Sequence, residues 1–86
     1  MPLTLTIQFT SSEAVAGNKR HCIRHFAENL ERALALESAG QVENPASAVT
    51  FVLVTIESRR TWGRALAITR KTLHQHHLLG EAMLER

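Results

Sequence analysis

The chain reads as an α+β domain built on a β-α-β-α unit whose two strands run parallel, with the sheet completed by association with further copies. Three observations predict this. Residues 1–9 (MPLTLTIQF) alternate, with Leu3, Leu5, Ile7 and Phe9 on one face and Thr4, Thr6 and Gln8 on the other. Residues 48–57 (AVTFVLVTIE) form a second strand, apolar on both faces for much of its length, as expected of a strand covered on two sides. Each strand is followed by a stretch with helical spacing of its apolar residues.

Taken in order, the first strand has no slack before it, so Pro2 is expected to be held in the fold rather than fraying. A proline at the first strand position loses little through its missing N–H. Thr10-Ser11-Ser12-Glu13 has the spacing of a capping box and is followed by Gly17. The main helix is expected from about Asn18, an N-cap residue type, to Ser38. Its stripe is Cys22, Ile23, Phe26, Ala27, Leu30, Ala33 and Leu34, with His21, His25, Glu28 and Arg32 opposite. Ala39-Gly40 is the expected stop, and Pro45 lies in the loop before the second strand.

A second helix capped by Ser58 or Thr61 is expected to run to about Leu79 and stop at Gly80. Its stripe is Trp62, Ala65, Leu66, Thr69 and Leu73. Ile68 and Leu79 fall off it, on a face that suits burial against another subunit. Two strands joined by a helix are expected to be parallel, and their open edges call for pairing or cover. A competing parse treats Gln41 to Glu43 and Ala82 to Glu85 as short strands, giving βαββαβ, a ferredoxin-like monomer.

The totals narrow the classes. At 86 residues this is one domain, 1–86, near the size at which a single core is marginally sufficient, and a partner subunit would help it. The net charge of +2 is too slight to argue for nucleic acid. A single cysteine excludes an internal disulfide, and without a signal peptide or long apolar run a cytoplasmic location is expected, with no membrane partner.

With both strands placed, the chain resembles the 4-oxalocrotonate tautomerase family, particularly its small members with a trailing helix. The residues that carry the resemblance are Pro2 opening strand one (PLTLTIQF), the Asn18-Lys19 helix start, strand two (AVTFVLVTIE) and Trp62 soon after it, over about residues 2 to 65. The resemblance implies a tautomerase-like isomerase that needs no cofactor or metal. Pro2, once Met1 is removed, would be the catalytic general base, moving a proton between carbons of a small enolisable carbonyl compound. Physical chemistry suits that role. A free α-amine titrates near pH 8, and apolar surroundings disfavour its cation, leaving more free base at neutral pH.

The same resemblance implies an oligomer (dimer, trimer or hexamer) and a pocket walled by Trp62. Family members carry an arginine about ten residues after the proline and another early in strand two. Here those places hold Ser11 to Val15 and Thr50 or Phe51. The family's dicarboxylate substrate therefore does not carry over. Arg59, Arg60 and Arg64 flank Trp62 and are the candidates to bind the substrate's charge.

Other chemistries are less well served. His21 and His25, and the cluster His74, His76 and His77, lack carboxylates or thiols in a recognisable ligand pattern, so no metal is expected. Cys22 lies on the apolar stripe, as a buried thiol would. The Arg59-Arg60-Arg64-Arg70-Lys71 run lacks an aromatic stacking platform, so nucleic acid is not an expected partner. The second class of function is a non-catalytic binding or interaction protein of tautomerase or ferredoxin-like fold.

Overall fold

The computed structural model describes residues 1–9, 18–48 and 50–86; for residues 18–21 the backbone alone is described. The capping box at Thr10 to Glu13, Gly17, the Asn18 cap and the His21 side chain lie outside that description. The elements in chain order are β1 (Leu3–Phe9), α1 (Asn18–Leu36), β2 (Gln41–Val42), β3 (Phe51–Ile56), α2 (Arg59–Gln75), a 3-10 turn (Leu79–Glu81) and β4 (Ala82–Glu85).

The sheet has four strands in the order β2-β3-β1-β4. All neighbouring pairs are antiparallel, and the β1–β3 register sets Leu3 opposite Ile56 and Gln8 opposite Phe51. The expectation of parallel strands is therefore corrected. The cause is β2. Gln41 and Val42 pair with Thr55 and Val54, so the chain reverses through a hairpin before entering β3. Each helix does join two strands of the same direction, β1 with β2 and β3 with β4, but another strand lies between the members of each pair. The element order is that of the competing βαββαβ parse, and the sheet closes its four strands within one chain.

The expectation that the second strand is covered on both sides is also corrected. Val52, Val54 and Ile56 are buried, whereas Thr55 and Leu53 are half-buried and Phe51 is exposed. In β1 the buried residues are Leu5, Ile7 and Phe9, with Thr4, Thr6 and Gln8 turned the other way. Both helices cover the first of these faces and join its side chains in one core. From α1 come Ile23, Phe26, Ala27, Leu30 and Leu34, and from α2 come Ala65, Thr69 and Leu73. Phe26 is the largest fully buried side chain and meets Phe9 edge to face, with ring centroids 6.0 Å apart. Thr69 and Thr72 satisfy their buried hydroxyls by donating to the carbonyls of Ala65 and Ile68, each at 2.8 Å. Ile68, expected on an open face, packs against this core, while Leu79 stays exposed.

Both helices end in the same way, and not at the glycines. In α1, Ser38 takes a positive φ of 51°, Ser38 N–H donates to Ala35 and Ala39 N–H to Leu34. In α2, His77 has φ 59°, its N–H donates to His74, and Leu78 N–H donates to Leu73. These are paired Schellman closures, and the residues that each six-to-one bond joins, Ala39 and Leu34 in one and Leu78 and Leu73 in the other, are all buried. The expected stops at Gly40 and Gly80 thus lie beyond the true ends. Gly40 has another use: a Cβ there would sit 2.9 Å from the Thr55 carbonyl oxygen, so glycine is what lets β2 come close to β3.

The outer side of β3 is finished by a side chain. Asn44 Nδ2 donates to the Phe51 carbonyl at 3.1 Å, and Asn44 Oδ1 accepts from Leu53 N–H at 3.0 Å. Its amide takes the place of the strand residue that a longer β2 would have supplied.

Candidate functional site

The chain leaves β3 at Ile56, opposite Leu3, and turns into α2 within three residues. Ser58 holds the N-cap position of α2, as expected, in extended conformation (φ −154°, ψ 165°) but without a side-chain cap bond; Thr61 donates its hydroxyl back to the Ser58 carbonyl at 3.1 Å. No acidic residue stands in the first turn of α2, which carries Arg59, Arg60 and Trp62. On the other side of β1, β4 pairs Glu85 with Thr6, so Arg86 follows at the same end of the sheet as Leu3.

These elements enclose a cleft of about 290 Å³ lined by Leu3, Arg59, Trp62 and Arg86. Trp62 is half-buried, with its inner side packed against the core. The Arg86 guanidinium carbon lies 5.7 Å from the centroid of the indole, a cation–π arrangement. The lining therefore combines two guanidiniums, an aromatic face and an aliphatic side chain, with no carboxylate among its described residues. Guanidiniums present planar pairs of donors suited to a carboxylate or phosphate, and the indole face suits a flat or apolar body. The volume falls at the lower end for small-molecule sites.

Of the residues singled out from the sequence, Arg59 and Trp62 meet in this cleft. Pro2 is exposed and precedes Leu3 directly, with Met1 fully exposed before it. Arg60 is exposed and is not among the lining residues. Arg64 turns to Glu37 at the end of α1, with Nε 3.9 Å from Oε1 and both side chains more than half exposed, a pair worth little to stability. Arg86 was not singled out. Only the register of β4 on β1 brings it to Trp62, and four residues of sequence carry no sign of that register.

The histidines form a second group. His76 at the end of α2 reaches across to α1: Asn29 Nδ2 donates to His76 Nε2 at 3.0 Å, and the imidazole meets the edge of Phe26 at 6.0 Å. Arg32 holds Asn29 by donating to its Oδ1 at 3.0 Å. Burial first, and then the neighbouring His25 and His77, lower the His76 pKa below the ordinary histidine value. His74 and His77 line an open hollow of about 350 Å³ with Leu79 and Gly80. Among the described residues no group of three or more His, Cys, Asp or Glu is placed to hold a metal ion. Cys22 is a half-buried free thiol packed against the core.

Comparison with protein-family models, with curated proteins and with solved structures gives no significant match. Among the described residues no helix is long and apolar enough to cross a membrane. What the site defines is thus a class of surface, a cationic and aromatic cleft at one end of an α+β antiparallel sheet.

Proposed function

We propose that the chain is a non-catalytic binding module of ferredoxin-like architecture, and that its cleft takes a small anion carried on a flat or apolar body. The observation that carries this reading is the pairing of Arg59 and Arg86 around the Trp62 face, with no carboxylate among the described lining residues. The βαββαβ order and the antiparallel sheet support the architecture. A carboxylate or phosphate would be gripped by the guanidiniums, and its body would lie on the indole beside Leu3. Trp62 is the single tryptophan, so its fluorescence reports the cleft directly. Titration with phenylpyruvate, benzoate and inorganic phosphate is expected to give a saturable change for at least one of them. Arg59→Ala should weaken it by roughly tenfold or more, the worth of a hydrogen-bonded ion pair. A response that Arg59→Ala leaves intact would remove the cleft from the function.

Proton transfer at Pro2 is the second reading, and one observation favours it: Leu3, the next residue, lines the same cleft as Arg59 and Trp62. In that reading the substrate is a small enolisable carbonyl acid held by Arg59 or Arg86, and the base is the Pro2 nitrogen after loss of Met1. While Met1 is attached that nitrogen is an amide and not basic. Intact mass of the protein from its native host, followed by phenylenolpyruvate turnover against Pro2→Ala, tests it. Retention of Met1, or equal rates in the two proteins, would exclude Pro2 as the base.

A further inference from the structure

The two guanidiniums of the cleft are not equivalent. Trp62 packs its inner side against the core, which leaves the other side of the indole to the cleft. The Arg86 guanidinium stands over that ring, with its carbon 5.7 Å from the centroid. Arg86 is exposed and lies one residue beyond Glu85, which pairs with Thr6. The sheet thus fixes where the side chain starts, and its long flexible stem lets the head reach the ring or the space beside it. A ligand body that lies on the indole has to take the place of this guanidinium.

We propose that Arg86 sets the ligand class of the cleft: it shields the indole and gives up the ring only in exchange for an anion. The class selected is a flat or aromatic acid, one molecule that brings both the charge and the body. This inference rests on the reading of the cleft as a binding site and adds to it a rule of entry.

The exchange follows from what each kind of molecule repays. A neutral flat molecule that displaces the guanidinium forfeits the cation–π contact, which at an exposed site is worth a factor of about two to five in affinity. A flat acid loses the same contact but receives the guanidinium in a charge-assisted pair, which is stronger. An anion without a body draws the cation off and leaves the apolar ring open to water. No carboxylate stands among the described lining residues to take the guanidinium in the ligand's stead. Arg64 shows the alternative, since Glu37 holds it away from the cleft.

Benzoate and benzamide share a ring and a shape and differ in charge, so the pair isolates the exchange. Titrations followed by Trp62 fluorescence, on the full chain and on Arg86→Ala, measure it. The wild-type chain is expected to bind benzoate roughly tenfold or more tightly than benzamide. In Arg86→Ala benzoate should weaken by roughly tenfold, while benzamide should tighten by about two- to five-fold because the ring is uncovered. Circular dichroism verifies that the variant is folded. Benzamide affinity that does not rise in Arg86→Ala, or benzoate affinity that does not fall, overturns the proposal and leaves the cleft reading standing. Binding of inorganic phosphate with neither aromatic probe has the same meaning. A wild-type chain that responds to none of the three overturns the cleft reading, and this inference with it.

Discussion

Leu3–Val42 and Phe51–Glu85 each run strand, helix, strand, and both helices close through a left-handed residue two or three positions before a glycine. The two halves then diverge in what their helices do. Over its described length, α1 spends its inner face on core, with Phe26 seated against Phe9 and His76. In α2 the buried side chains are Ala65, Thr69, Thr72 and Leu73, and the first turn is left at the surface with Arg59, Arg60 and Trp62. The same plan thus gives one half that anchors the domain and one whose leading turn is free to form a cleft. The deepest helix packing and the proposed cleft thus draw on different helices, so substitutions should separate them too.

The largest expected effect tests that division. Phe26→Ala removes a fully buried aromatic and should cost about 3–5 kcal/mol, whereas Trp62→Ala, from a half-exposed site, should cost roughly half as much or less. Urea denaturation measures both, and equal losses would break the contrast between anchor and site. Next come the glycines after the helices. Gly40→Ala drives a Cβ to 2.9 Å from a backbone oxygen and should cost about 1–3 kcal/mol. Gly80, with nothing within 4 Å of a Cβ, should accept alanine within about 0.5 kcal/mol. The left-handed residues should respond alike in both halves: Ser38→Gly and His77→Gly each relieve a strained φ and should raise stability by about 0.5–1 kcal/mol. A gain in one half only would show that the two closures are not equivalent.

The smallest effect is a pH dependence peculiar to the seam between the halves. The His76 pKa is lowered in the fold, so the unfolded chain binds the proton more tightly. Stability from this group is present above the unfolded value of about 6.5 and is lost as pH falls from there towards the lower folded pKa. Thermal melts at about pH 7.5 and 5.5, either side of that value, should show a fall that His76→Gln reduces. An identical fall in the variant would place the proton uptake at another group.

Much of this was legible in the sequence. The 2.0 period of residues 3–9, the stripe from Ile23 to Leu34 and the anchors Ala65, Thr69 and Leu73 all lie where alternation and helical spacing put them. Strand direction was not. Two residues of β2 cannot display a period, yet they reverse the chain and turn a parallel pair into an antiparallel one. Ala82–Glu85 (AMLE) has the composition of a helix, and pairing with β1 overrides it. The site was legible by half for the same reason. Arg59 and Trp62 share a helical turn, whereas Arg86 comes to them only through β4, and Arg64 is drawn off by Glu37 from the other half.

The amide of Asn44 has a consequence of another kind. An unpaired strand flank is where one molecule can seed ordered stacking of the next, and here the flank of β3 is occupied by a group that cannot itself be extended. Conversion to aspartate would remove the donor to Phe51 and open that flank. Asparagine ages that way when the nitrogen of the following residue attacks its side chain, and the following residue is Pro45, whose nitrogen carries no hydrogen to give up. The stopper on that flank of β3 is therefore guarded against its own commonest decay.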